Sequence, residues 1–242
     1  MTRIEELAWA STAMGEIVLR RRVEPTLLVD VYEVRLGEEY LMSSLFTVSE
    51  VALAHLGLAA VTPGATSSTY EGLHVVVGGL GLGWTARTVL QDPRVTSMVV
   101  VEALGEVISW QREGLLPGSD ELVGDPRTRL VEADFFALAR GGAGFDPDRP
   151  GSLAHAVLVD IDHTPDHVLH PSHGDLYTVA GLRRVSGSLH PGGVFALWSD
   201  DPPAEAFTAM LRQVFAVVDT HVVEFDNFHT GGRSACSVYV AR

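Results

Sequence analysis

The sequence predicts an α/β fold: a doubly wound, mostly parallel sheet that ends in an antiparallel hairpin and carries a small β appendage in front. Three observations predict it. From Leu73 onward, near-continuous apolar runs such as SMVVVE and AHAVLVDI alternate with segments long enough for helices, which suits parallel strands covered on both faces. The last two apolar runs, VVDTHVVEF and SACSVYVA, are separated only by DNFHTGGR, too short for a crossover helix, so they should pair antiparallel at the sheet edge. Before about Ser44, apolar and polar residues roughly alternate over short runs, as in antiparallel strands with turns between them.

The elements follow in order. GEIVLRRRVE, TLLVDVYEVRL and EEYLMSS supply the strands of an appendage over residues 1–46. So small a sheet buries little by itself and should pack on the main domain or on a second subunit. The main domain then occupies residues 47–242. Thr47-Val48-Ser49-Glu50 matches a capping box and should open a helix with Val51, Leu53, Ala54, Leu56, Leu58 and Ala59 on its apolar face. TPGATSSTYEG, residues 62–72, reads as a linker. Strands are expected over Leu73–Gly78, 97–102, Thr128–Glu132, 154–161 and 194–199, with helices over 103–113, 175–189 and 204–215. A Rossmann-like parallel sheet closed by a terminal hairpin is the layout associated with S-adenosylmethionine-dependent methyltransferases, a likeness of fold and not of activity.

Composition narrows the function classes. Formal charge is −14, from 31 acidic and 17 basic residues, which disfavours nucleic acid because phosphate binding needs a cationic surface. The same charge permits a cationic small substrate. No run approaches the ~18 apolar residues of a membrane span, so no membrane partner is expected. The start, MTRIEELAWASTAMGE, does not read as a secretory signal, and a single cysteine, Cys236, agrees with a reducing, cytoplasmic setting. Its strand-like surroundings make Cys236 a small buried thiol rather than a nucleophile.

Candidate binding residues lie at three successive strand ends. The stretch VVVGGLGLGW places Gly78, Gly79, Gly81 and Gly83 between a strand and a helix starting near Trp84, where backbone can turn sharply and approach a ligand. Glu102 closes the second strand, nineteen positions after Gly83, and can accept from both ribose hydroxyls. In EADFF, Asp134 can accept from an adenine amino group while Phe135 covers the ring; the same Asp134 can cap the following helix. Together these form an adenosine site. No GK[ST] follows the glycines, so an ATPase loop is not supported; a nicotinamide dinucleotide would need a second domain for its partner, and none is visible.

In the order GEIVLRRR, VYEVRLGEEYLMSS, VVVGGLGLG, VVVEA, DPRTRLVEADFF, VLVDIDHTP, LHPGGVFALWSDD and FHTGGRSACSVYVA, nearly the whole chain resembles the spermidine synthases, the polyamine aminopropyltransferases. The resemblance implies decarboxylated S-adenosylmethionine as co-substrate, no tightly bound cofactor, a polyamine acceptor, and a homodimer or higher homo-oligomer. It matches Glu102 to the ribose acid, Asp134 to the adenine acid, and Asp160 to the first acid of the loop that closes over the substrates. Two positions depart from the family pattern. Its GGGDGG loop carries an acid that holds the donor's amine, and Gly81 stands there. Its D-[ST]-[ST]-D-P loop carries a second acid, and VDIDHTP puts His163 there, with Asp162 one place early. Loss of the acid at position 81 weakens selection against the carboxylate of intact S-adenosylmethionine, so either donor form is a candidate.

The loop DIDHTPDHVLHPSHGD, residues 160–175, holds four acids and the histidines His163, His167, His170 and His173. As a substrate loop it would use Asp160 and Asp162 to attract a cationic amine, with Asp162 or His163 taking a proton, so Asp160, Asp162 and His163 are the catalytic candidates. Histidine spacings of four, three and three fit no metal signature, so no metal is expected; the later histidines read as surface residues. Trp84 is a candidate floor for the ligand, Trp110 and Trp198 read as core, and Asp200 and Asp201 could line the acceptor pocket or cap the next helix, the cap being preferred. The expected function is aminopropyl transfer to a polyamine or other amine. An S-adenosylmethionine-dependent methyltransferase, or a non-catalytic homologue that keeps the adenosyl site, is the alternative.

Overall fold

Two sheets organise the chain in a computed structural model that describes residues 4–62 and 72–242. The first is antiparallel, in the order β1 (Ile4–Thr12), β2 (Gly15–Glu24), β3 (Val29–Leu36) and β4 (Glu39–Ser43). Three of these strands match the expected appendage. The strand β1 was not foreseen, because its register with β2 shifts between Glu6 and Ala8 and that bulge breaks the alternation a strand is read from. Arg20 and Arg22 share a face of β2 and both reach Glu33 at 2.6 Å, while Arg21 pairs with Glu5 on the other side. The basic run is therefore spent on neighbouring acids within the sheet.

The second sheet holds β5 (Leu73–Gly78), β6 (Val95–Glu102), β7 (Thr128–Glu132), β8 (Ala154–Val159), β9 (Leu189–Ser199), β10 (Val218–Asn227) and β11 (Gly232–Ala241). Its order is β10-β11-β9-β8-β5-β6-β7. The strands from β7 to β9 are parallel, and β11 and β10 close the edge antiparallel, as the hairpin pattern required. Along each central strand the side chains alternate between two cores. Val75, Val77, Met98, Val100 and Leu158 pack with one, beneath the helices α1 (Val48–Ala60), α2 (Trp84–Leu90), α3 (Gly105–Arg112) and α4 (Ser119–Gly124). Val76, Val99, Val101, Val157 and Val159 pack with the other, beneath α5 (Phe135–Gly141), α6 (Val179–Gly187) and α7 (Glu205–Leu211). The sheet is doubly wound. Ile17, Leu19 and Val34 of the first sheet join the α1 core, so the appendage packs on the main domain.

Some boundaries moved. The strand β9 begins at Leu189, not residue 194, with HPGG accommodated as an irregularity between the pairs Ala154↔Leu189 and Ala156↔Val194. Of the helix expected over 175–189, α6 takes Val179–Gly187, and a 3-10 turn, Pro171–Asp175, precedes it. Of the apolar face expected on α1, Leu53, Ala54 and Leu58 are buried, whereas Ala59 is exposed. The linker expected over 62–72 lies, for residues 63–71, outside the described residues. Among the described residues no helix is long and apolar enough to cross a membrane.

Candidate active site

A cavity of about 600 Å³ opens beyond the carboxyl ends of β5, β6, β7, β8 and β9. That is where the strand order reverses, with β6 on one side of β5 and β8 on the other, and loops there splay apart to leave a crevice. The chain from Gly79 to Gly83 forms its floor, and Leu41 and Met42 of β4 cover it from the first sheet.

The floor depends on close backbone approach. Gly79 turns with φ +92°, and a Cβ there would sit 2.2 Å from the carbonyl oxygen of Asp160, so only glycine lets the loops after β5 and β8 meet. Gly81 also has a positive φ, +49°, and a Cβ there would lie 3.0 Å from Met42 Sδ. The thioether of Met42 thus borders the space an acid at position 81 would need. Gly83 is the N-cap of α2 and lines the floor, whereas Gly78 ends β5 behind it, against the Phe135 ring.

One half of the cavity gathers the residues the sequence assigned to a nucleoside. Glu102 Oε2 accepts the Leu80 N–H and Oε1 the Leu104 N–H, each at 2.9 Å. Burial pushes this carboxyl up, while those backbone N–H groups oppose the shift. The N–H groups of Gly81 and Ala103 also face this carboxylate. Asp134 borders the cavity and caps α5, Oδ1 accepting the Ala137 N–H at 3.0 Å. Phe135 is buried beneath Gly78 and stacked on Phe145 with centroids 4.6 Å apart. Trp84 lines the floor, with Arg87 over its ring.

The other half is acidic. Asp160, His163 and Asp200 line it, and so does Glu50. Asp160 Oδ2 accepts from Thr85 Oγ1 at 2.8 Å, and burial pushes its carboxyl up to about 6. His163 is held by its own backbone, its carbonyl accepting the Asp200 N–H at 2.7 Å. Asp162 lies outside the lining, and its buried carboxylate is fully engaged. Its oxygens meet the Leu169 N–H and His173 Nδ1 at 2.8 Å and Tyr177 O–H at 2.7 Å. Its oxygens face the loop interior because three partners hold them there.

Several residues sit differently from the reading of the sequence. His173 is a buried residue stacked on Phe136 at 3.7 Å, not a surface one. Asp200 lines the cavity, and the cap of α7 is Ala204, so no aspartate caps that helix. Trp198 lines the cavity as well, while Trp110 is core. Cys236 borders the same wall, and burial pushes its thiol up, which keeps it neutral. Glu50 is the residue sequence reasoning missed. Thr47 is the N-cap of α1 but makes no side-chain cap bond, and Glu50 Oε2 instead accepts from Ser49 Oγ at 2.7 Å beside the cavity.

No family model matches the chain. It is 30% identical over 173 residues to the polyamine aminopropyltransferases of Mycobacterium tuberculosis strain CDC 1551 and of Mycobacterium bovis, a match over 67% of this chain. The chain spans only 29% of the length of those curated relatives. Among solved structures, a spermidine synthase in complex with the transition-state analogue AdoDATO covers 98% of this chain and 73% of its own, at 19% identity and TM-score 0.71. The spermidine synthase of Thermotoga maritima gives 19% identity and TM-score 0.70, over 98% of this chain and 72% of its own. A probable spermidine synthase of Corynebacterium glutamicum gives 14% identity and TM-score 0.62, over 100% of this chain and 79% of its own. In sequence over two thirds of its length, and in fold over nearly all of it, the chain is spermidine-synthase-like.

Proposed function

We propose that the chain is a transferase that binds an S-adenosylmethionine-type sulfonium donor and moves its aminopropyl group to a cationic polyamine or another amine. One observation carries the reading: a single cavity joins a glycine floor with Glu102 and Asp134 at one end to a group of carboxyls at the other. The likeness to polyamine aminopropyltransferases supports it.

The roles follow from position. Glu102 accepts from the ribose, Asp134 from the adenine amino group, and Gly79, Gly81 and Gly83 bring backbone to the donor, with Gly78 and Phe135 supporting them from behind. Asp160 draws the ammonium toward the donor carbon, and His163 borders the same space. Asp162 positions the loop through Leu169, His173 and Tyr177. The amine attacks the carbon beside sulfur, the carbon–sulfur bond breaks, and its electron pair neutralises the sulfonium. Positioning and the field of the carboxyls carry such a step, with no covalent enzyme intermediate. The donor is a co-substrate, and no tightly bound cofactor enters. The buried neutral Cys236 agrees with a cytoplasmic setting, and the resemblance supports a homodimer or higher homo-oligomer.

Glycine in place of an acid at position 81 leaves room for a second reading, in which intact S-adenosylmethionine is the donor and a methyl group is transferred. Incubation with each donor and a panel of amines distinguishes the readings. The expected result is aminopropylated amine and methylthioadenosine in equal amounts. Methylated product would move the assignment to methyl transfer, and tight nucleoside binding without any turnover would make the chain a binding protein.

A further inference from the structure

All 17 basic residues of the chain are arginines, and the fold uses several of them to neutralise buried acids. Glu33 is held by Arg20 and Arg22, Glu24 by Arg22, and Asp146 by Arg129. Buried Asp162 has His173 and Tyr177. Among the described residues, Glu50 and Asp160 have no ion-pair partner, although both line the cavity and each feels the neighbourhood of the other. Among the described residues, their polar side-chain partners are the hydroxyls of Ser49 and Thr85. Asp160 and Cys236 sit within electrostatic reach of Glu50, and His163, Asp200 and Tyr40 line the same cavity. None supplies a fixed positive charge. A carboxyl pair so placed is complementary to a cation that arrives with a ligand.

Resting on the transferase reading above, we propose that Glu50, with Asp160, seats the attacking amine of the acceptor and takes the proton that frees its lone pair. The ammonium transfers one proton to the carboxylate pair and becomes a neutral amine. Its lone pair forms the bond to the donor carbon, the carbon–sulfur electrons pass to sulfur, and the product leaves as a secondary ammonium while the pair returns its proton to water. Burial and the charge of Asp160 push Glu50 up to about 7, so the empty pair holds a proton in mildly acidic solution and gives it up when a cation enters.

Titration calorimetry of 1,4-diaminobutane at pH 6, with methylthioadenosine present and in buffers of different ionisation enthalpy, reads that exchange. The wild type should release a proton to the buffer. Glu50→Gln should lose most of that release and about 100-fold in kcat, in line with the usual contribution of a general base, and still bind methylthioadenosine within twofold. Glu50→Asp should restore part of both. Unchanged kcat and proton release in Glu50→Gln overturns the proposal and leaves the transferase reading standing, as does a matching loss of methylthioadenosine affinity, which would mark a structural role. Buffer-dependent diamine binding without turnover on any amine sinks the transfer step and keeps the seat; wild type that binds no diamine overturns the seat.

Discussion

On the proposed function, donor choice turns on Gly81, where the place a side chain would take is bordered by Met42 Sδ at 3.0 Å. Gly81→Asp should cost about 1–2 kcal/mol of stability through its positive φ, read as a lowered denaturant midpoint. Combined with Met42→Ala, the new carboxylate gains room to face the donor's tail. The double variant should then shift the ratio of affinities about 10-fold toward decarboxylated over intact S-adenosylmethionine, a difference of about 1.4 kcal/mol. A ratio unchanged within twofold, by calorimetry with both donors, would show that this position does not face the tail. Glu102 and Asp134 were placed at strand ends by their spacing and do border the cavity, although each also has a structural duty, Glu102 to the Leu80 and Leu104 N–H groups and Asp134 as the cap of α5. Glu50 was not legible, since its spacing from Thr47 is also that of a capping box and only the packing of α1 shows which way it faces. The orientation of Asp162 was equally hidden, being set by His173 and Tyr177, 11 and 15 residues further on.

At the scale of elements, β5 and β7 were read to the residue, and β6 and β8 to within two residues at one end. Elsewhere irregular pairing misled: the bulge hid β1, and HPGG hid the start of β9. The starts of β5, β8 and β9 also bring together His74, His155 and His190, at the end of the sheet away from the cavity. His155 Nδ1 accepts the His74 N–H at 2.9 Å, and its ring stacks on His190 with centroids 4.3 Å apart. Burial, then repulsion from His190 and His74, lowers the His155 imidazole to about 4. A base depressed in the folded state contributes stability that is complete above its unfolded value near 6.5 and is lost as pH falls toward about 4. The melting temperature should therefore drop between pH 7 and pH 5. The drop should be smaller in His155→Asn, which keeps an acceptor for His74 and cannot titrate. Equal drops in both proteins would place the acid sensitivity elsewhere.

At the scale of the molecule, a formal charge of −14 and a cavity carrying Glu50, Asp160 and Asp200 make the protein a collector of cations. Attraction of a diamine should weaken as salt screens it, with KM for the amine rising several-fold from ~0.01 M to ~0.15 M ionic strength while methylthioadenosine affinity stays level. Parallel movement of both constants would mean that net charge plays no part in acceptor capture. Fold class, the doubly wound sheet and its closing hairpin were legible because apolar periodicity and loop length determine them. The location of the acidic half of the cavity depended on how α1, β4 and the loop after β8 converge, which no local pattern records. The proposed transfer requires that one cavity hold the donor's nucleoside beside the carboxyl seat. A crystal soaked with methylthioadenosine tests it most directly. The ribose should lie on Glu102, the adenine at Asp134, and the methylthio group should point toward Asp160 and Glu50. Nucleoside bound in another orientation, or absent from this cavity at saturating concentration, would contradict the account.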